Sequence, residues 1–262
     1  MKIIVLMKQV PNTNEVKLDP KTGTLIREGV PSIINPDDKN ALEEAIKLKE
    51  EKGGTVTVLT MGPPQADFAL REALAMGADE AILLSDRVFA GADTWATSLA
   101  LAQAVKKIGD YDLIFAGRQA IDGDTAQVGP EVAEHLNLPQ VTYVKKVLSL
   151  ENGKVVVERA LEDGHEVIEC QLPCVLTAVK ELNVPRYPSV SGIVDAFDAK
   201  EVKVWNGAFI EAVAEEHGLK GSPTQVKKTF SPPLKGAGKM LSGTAKEAVN
   251  SLIQELREKH IL

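Results

Sequence analysis

A run of small and polar residues at positions 117–130 has the composition of a loop that could bind a phosphate group. It follows the apolar segment 112–116 and leads into Val128, Val132 and Leu136, whose spacing predicts a helix. The first N–H groups of a helix have no intrahelical partners, and the helix dipole adds positive charge there. The residues therefore predict a phosphate or pyrophosphate site where this helix begins.

Pro130 restricts where the helix can start. In a helix that began at Asp124, Pro130 would lie past the first turn and remove a hydrogen bond, so the helix either kinks there or begins nearer Gln127. In both cases the amides at 127–129 lack secure hydrogen-bond acceptors within the helix and could face a ligand. The alternative is an ordinary strand–loop–helix connection in which Asp124 or Thr125 caps the helix.

Other kinds of chemistry lack their defining residues. The chain has neither G-x-x-x-x-G-K-[ST] nor G-x-G-x-x-G, which argues against a P-loop and a standard dinucleotide-binding fold. It has two cysteines, Cys170 and Cys174, and no second pair that could complete a metal site. No histidine lies at a spacing typical of a zinc or iron–sulfur site. We expect both thiols to be buried and inert. Redox activity would therefore require a bound organic cofactor.

Composition narrows the class of protein further. The 262 residues are 44% hydrophobic, enough for either one large domain or one domain with an appendage. A net charge of −7 gives no basic surface for nucleic acid. The apolar run at 3–7 is too short for a secretory signal, and no later run approaches a membrane span. The sequence thus predicts a cytoplasmic protein that does not insert into membranes.

Four continuous apolar runs alternate with helical patterns along the first half of the chain. Such runs are typical of strands buried on both faces, and the alternation predicts a mostly parallel, doubly wound α/β sheet. The runs are 3–7, 55–61, 81–84 and 113–116. Because ligands of such sheets bind beyond the carboxyl ends of the strands, residues 7–9, 61–64 and 117–125 should surround one crevice.

Three further segments extend this sheet. The long connection 8–35 contains turn residues at 19–24 and predicts an inserted hairpin. Residues 141–179 predict an antiparallel meander of four strands, the last of them at 174–179. Beyond residue 185, frequent Pro and Gly predict an arm rather than a compact core.

A final helix is well signalled within this arm. Thr244 and Glu247 form a capping box, and Val249, Leu252 and Ile253 belong to one apolar stripe. Such an apolar stripe needs another protein surface to cover it. It either folds back onto its own domain or docks on another subunit.

Several separate stretches match one known family. They are 8–11, 35–36 with 43–45, 73–79, 119–122 and 183–187, together with Val157, Arg159, 162–164, Glu166, Ile168, Pro173 and 175–177 in the meander. On these residues the chain resembles the β subunit of an electron transfer flavoprotein over nearly its full length.

The resemblance implies a heterodimer with an α subunit that carries FAD, in which the β subunit holds an adenine nucleotide in the crevice. In conventional members this nucleotide is a structural AMP. In the electron-bifurcating branch it is a second FAD that accepts hydride from NADH. The implied cofactor-binding residues are Leu6, Lys8, Asn35, Asp37, Met61, Thr94, Thr97, Asp122, Gly123, Asp124, Thr125, Ala126, Gln127, Val128 and Gly129.

Three departures from the conventional pattern resemble the bifurcating branch. Gly123 replaces a polar or acidic residue and would let a ligand approach the backbone. Thr94 and Thr97, one helical turn apart, offer hydroxyls. Asp37 replaces an aromatic residue. The alternatives are that Asp37 and Asp38 are charges favoured at a helix N-terminus and that the two threonines are solvent-side residues.

The resemblance also implies partners and a division of the chain. Residues 1–185 would form the nucleotide-binding domain, 186–206 a docking loop and linker for an acyl-CoA dehydrogenase, and 207–262 an arm on the α subunit. The docking loop is acidic here where conventional members carry lysines, which suggests a dedicated dehydrogenase. The αβ complex would oxidise NADH and reduce ferredoxin or flavodoxin. A conventional AMP-binding carrier and a stand-alone nucleotide sensor are the alternatives.

Overall fold

Parallel strands with helices on both faces make up most of the chain. The computed structural model describes residues 1–12, 31–228, 236 and 238–262. Its strands are β1 (Lys2–Leu6), β2 (Gln9–Pro11), β3 (Ser32–Ile34), β4 (Thr55–Met61), β5 (Glu80–Leu84), β6 (Leu113–Gly117), β7 (Gln140–Glu151), β8 (Lys154–Leu161), β9 (Gly164–Gln171), β10 (Cys174–Ala178) and β11 (Val202–Trp205). Its α-helices are α1 (Pro36–Lys52), α2 (Asp67–Met76), α3 (Thr94–Ile108), α4 (Val128–Leu136), α5 (Val190–Asp198), α6 (Gly218–Gly221) and α7 (Ala245–Glu258).

The main sheet has the strand order β11-β5-β4-β1-β6-β10-β7-β8-β9. Every neighbouring pair from β11 to β7 is parallel, and only β7, β8 and β9 pair in antiparallel fashion. The predicted α/β class with a mostly parallel sheet is therefore confirmed.

The helices cover the sheet on both sides because its central strands are apolar on both sides. One core contains Leu42 of α1 and Leu70 of α2, and a second core contains Ala100 of α3 and Val132 of α4. Phe115 of β6 is fully buried. This is the doubly wound arrangement that the continuous apolar runs predict.

Strand β10 differs from the prediction. The sequence placed it last in the antiparallel meander, but it lies between β6 and β7 and is parallel to both. All five of its residues are buried, whereas β7, β8 and β9 have exposed positions. A strand buried on both faces needs an interior position in the sheet, and the edge of a meander does not provide one.

The two cysteines are buried thiols, as their apolar surroundings predict. Cys170 lies in β9 and Cys174 in β10. Burial raises the pKa of both thiols.

Strands β2 and β3 form the paired base of the connection between β1 and α1. They are antiparallel, with Val10 opposite Ile33. This arrangement fits the predicted hairpin, but the turn expected at 19–24 lies outside the described residues.

Regular structure continues beyond residue 185. Helix α5 packs against α2, and β11 extends the sheet by pairing with β5. The chain divides into two compact units, 1–226 and 227–262. The functional division at 185 and 206 stays a prediction.

The second unit contains α7. Thr244 caps this helix, and Glu247 completes the predicted capping box. None of its residues is buried, and Val249, Leu252 and Ile253 are 53%, 46% and 37% exposed. No helix among the described residues is long and apolar enough to cross a membrane.

An ion-pair cluster fastens the segment after β10 to α1. The Nε atom of Arg186 lies 2.9 Å from Oε2 of Glu43, and its Nη1 atom lies 2.5 Å from Oε1 of Glu50. The Glu43 side chain is only 4% exposed. Arg186 therefore neutralises a buried carboxylate, and its own amide donates to the same group.

We expect Arg186→Ala to lower the free energy of unfolding by about 3 kcal/mol, because it leaves Glu43 buried without its cation. Urea unfolding of the full chain measures this change. Lys203→Ala is the matched control, since its pair with Glu80 is half exposed on both sides and contributes less than about 1 kcal/mol. Equal losses in the two variants would show that burial of Glu43 does not determine the effect.

Candidate functional site

The candidate site lies where β1 and β6 end. These adjacent strands run parallel, and the connections that lead from β1 to β4 and from β5 to β6 pass over opposite faces of the sheet. The carboxyl ends of the two strands therefore border a crevice of the kind that binds nucleotides in open α/β sheets. The predicted phosphate loop follows β6 directly.

The N-terminus of α1 is bonded to both strands. Oδ2 of Asp38 accepts a hydrogen bond from the amide of Lys8 at 2.8 Å, and Oδ1 accepts one from the amide of Gly117 at 2.9 Å. The neighbouring Asn35 donates to the carbonyl of Gln119 at 2.8 Å and accepts from the amide of Ile121 at 3.0 Å. Three of these hydrogen bonds thus fix the start of the loop on α1, and the fourth joins α1 to the end of β1.

Two glycines permit this close packing. A Cβ atom on Gly117 would lie 2.2 Å from Oδ1 of Asp38, and one on Gly129 would lie 2.7 Å from Cγ2 of Thr177. Both distances are shorter than van der Waals contact. By contrast, a Cβ atom on Gly123 would meet nothing within 4 Å.

The two aspartates of α1 lie in different environments. Burial raises the pKa of Asp38 to about 7, although its bonds from the Lys8 and Gly117 amides lower it. Burial also raises the pKa of Asp37, while the Arg118 guanidinium, 3.4 Å away, lowers it. Asp37 has a cationic partner, whereas Asp38 is held by neutral donors.

Polar side chains order loop 117–129, one of them from Lys8 after β1 and the others from the loop itself. Nζ of Lys8 lies 2.6 Å from Oδ1 of Asp122, and the side chain of Gln119 donates to Asp124. Asp124 and Ala126 have φ angles of 57° and 56°, in the left-handed region that non-glycine residues seldom adopt. The backbone thus bends sharply before α4.

The amides at the end of this loop are uncommitted. Among the described residues, no acceptor receives a hydrogen bond from the amides of 125–129. Helix α4 begins at Val128, so Pro130 is its third residue and its missing N–H costs no helical bond. Gln127 occupies the N-cap position, and its side chain makes no capping bond. Of the two alternatives that Pro130 leaves open, the structure therefore has the later helix start.

The other predicted site residues, on α3 and at the ends of β1 and β4, differ in burial and in hydrogen bonding. Thr94 is the first residue of α3, and its Oγ1 lies 3.1 Å from Oε1 of Glu131 and 3.3 Å from Oε1 of Gln127. Thr97 makes no side-chain hydrogen bond within the described part of the chain, and its predicted role, like that of Thr94, stays a prediction. Leu6 is buried at the end of β1, and Met61 is half-buried at the end of β4.

Three residues of this region were not in the predicted set. Asp38 bonds the strand ends, Arg118 pairs with Asp37, and Glu131 contacts Thr94. The Oε2 atom of Glu131 is buried and has no partner among the described residues. The acidic pair at 37–38 was a visible signal, but the sequence did not indicate which carboxylate faces the strands.

Comparison with known proteins identifies the family. The family model described as "Electron transfer flavoprotein domain" matches residues 22–209. The chain is 62% identical to the electron transfer flavoprotein subunit beta of Thermoanaerobacterium thermosaccharolyticum over the full length of both proteins. It is 61% identical to the caffeyl-CoA reductase-Etf complex subunit CarD of Acetobacterium woodii, again over both full lengths.

A third relative is the acryloyl-CoA reductase electron transfer subunit gamma of Anaerotignum propionicum. It is 49% identical, and both chains are covered completely. These matches confirm the predicted resemblance: the chain belongs to the electron transfer flavoprotein family and is similar to its β subunits along its whole length.

Proposed function

We propose that this chain is the β subunit of an electron-bifurcating flavoprotein and that its crevice binds FAD. When bound, FAD would accept hydride from NADH and divide the electrons between ferredoxin or flavodoxin and the FAD of an α subunit that serves an acyl-CoA dehydrogenase. The observation that carries the proposal is the row of uncommitted amides at 125–129, at the start of α4 and beside the open Gly123.

These amides suit a pyrophosphate. They lie at the positive end of the α4 dipole, and left-handed residues next to them favour a concave backbone that binds anions. The two loop carboxylates do not oppose such a ligand strongly, because Asp122 pairs with Lys8 and Asp124 accepts from Gln119.

Space near the loop supports FAD rather than AMP. Gly123 has no neighbour where a side chain would project, so a larger ligand can pass close to the backbone. Asp37 is 8% exposed, and its carboxylate lies 3.4 Å from the Arg118 guanidinium. It therefore leaves room that an aromatic side chain at this position would fill.

An exposed apolar surface on α5 supports a protein partner. Tyr187, Val190, Val194 and Phe197 are between 51% and 93% exposed, at spacings that bring the last three to one helix face. Relatives named as subunits of caffeyl-CoA and acryloyl-CoA reductases support a partner that acts on acyl-CoA compounds.

AMP is the second candidate, because the same amides could bind a single phosphate. In that case this chain would carry no redox chemistry. The two candidates predict different nucleotides in the purified complex.

We expect the αβ complex to release about two FAD molecules and negligible AMP when it is denatured. Gly123→Asp should favour AMP over FAD, because its side chain would occupy the open space beside the loop that the larger ligand needs. Acid extraction followed by chromatography measures both nucleotides.

Gly164→Asp is the matched control for this substitution. Like Gly123, Gly164 has open space at its Cβ position, and it lies in β9 rather than in the loop. It should retain the wild-type nucleotide content. One FAD and one AMP per wild-type complex would contradict the proposal and favour a conventional, AMP-binding carrier subunit.

We expect deletion of 240–262 to weaken association with the α subunit, because it removes the exposed apolar stripe of α7. The unit 1–226 should stay folded. Co-purification with a tagged α subunit measures association, and circular dichroism of the truncated chain tests its fold. Full stoichiometry after truncation would contradict this assignment of the arm.

A further inference from the structure

Asp38 fills a gap between two strands of the sheet. Successive amides of a parallel strand point to opposite neighbours. The amide of Met7 donates to Leu59 of β4, so the amide of Lys8 points toward β6. The amide of Arg118 donates to Ala178 of β10, so the amide of Gly117 points toward β1. Both amides therefore face the gap, where strand pairing has ended at Leu6 and Ala116.

The carboxylate replaces the missing ladder bonds. It accepts both amides, at 2.8 and 2.9 Å, and it is buried. Without it, the buried amide of Gly117 and the part-buried amide of Lys8 would lack acceptors, which is unfavourable for groups withdrawn from water. Asp38 thus determines how far apart the ends of β1 and β6 lie.

Both strand ends carry parts of the candidate nucleotide site. Gly117 begins the loop whose last amides are uncommitted, and the Lys8 side chain pairs with Asp122 in the middle of that loop. A change in the spacing of the two strand ends would therefore move the two anchors of the loop relative to each other.

The other charges near Asp38 occur as pairs. Asp37 on the same helix faces Arg118 after β6, with Glu181 farther away, and Lys8 after β1 faces Asp122. Within the described residues, Asp38 has no cation within salt-bridge distance. Its charge is stabilised by N–H groups alone.

We propose that Asp38 is a positioning residue whose ionised carboxylate holds the phosphate loop in its binding geometry, so that nucleotide affinity depends on its ionisation. This inference rests on the proposed nucleotide-binding function. A protonated carboxyl group must donate its hydrogen, and one of its oxygens then becomes a poor acceptor for a strand-end amide.

The expected pH range follows from burial. With the pKa of Asp38 raised to about 7, about a tenth of the molecules carry the charge at pH 6 and about nine tenths at pH 8. Apparent affinity scales with the fraction of the competent form. We therefore expect FAD to bind about tenfold more tightly at pH 8 than at pH 6.

Titration of the αβ complex with FAD tests this inference, with free FAD measured after ultrafiltration at several pH values. FAD is the main probe because its pyrophosphate does not titrate in this range, and AMP is the second probe. Asp38→Asn should bind FAD about tenfold more weakly at pH 8 and lose the pH dependence. The α-subunit site is unchanged in every variant and contributes equally.

Glu44→Gln is the matched control. Glu44 lies on the same helix, and burial likewise raises its pKa, but its partner is Asn183, away from the crevice. This variant should follow the wild type. A mainly structural role for Asp38 would weaken binding equally at all pH values.

A flat wild-type profile, or wild-type binding by Asp38→Asn at pH 8, would overturn the inference and leave nucleotide binding intact. If Asp38→Asn fails to assemble, the wild-type profile alone decides. If the β site of the wild type binds neither FAD nor AMP, the proposed function fails and this inference fails with it.

Discussion

The buried carboxylate of Asp38, shared by the amides of Lys8 and Gly117, is the interaction on which the crevice depends. Two parallel strands that diverge leave inward-facing amides that neither strand can satisfy. An acidic residue in the first turn of α1 satisfies both, and Gly117 allows it to come close. The same helix end bonds the loop through Asn35. These bonds hold the sheet, α1 and the candidate phosphate loop together.

Much of the fold could be predicted because strands that are buried on both faces have continuous apolar sequences. Continuous apolar runs predicted β1, β4, β5 and β6 and their parallel pairing. The predicted position of β10 was wrong. A short apolar strand that follows a hairpin has the same sequence pattern whether it pairs with the preceding strand or inserts between earlier strands. Its position depends on the helices that cover it, which is long-range information.

The position of the candidate loop in the fold was predictable, and its contacts were less so. The loop 122–129 follows β6, where the sequence indicated it. Pro130 left open a kinked helix or a later start, and the structure has the later start. The sequence could not separate Asp37 from Asp38, because adjacent residues of a helix point about 100° apart and the direction of the sheet is set by tertiary packing. Glu131 was missed for the same reason. Membership of the family follows from the whole chain, while FAD and its electron acceptors remain proposals.

Hydrogen–deuterium exchange of the αβ complex tests the central claim, that the amides at 125–129 bind the phosphate of a nucleotide. With nucleotide bound, these amides should exchange slowly, and removal of the nucleotide should make them exchange rapidly. The turn at 162–164 should exchange equally in both states. Unchanged exchange at 125–129, with protection at another place in the chain, would contradict the account.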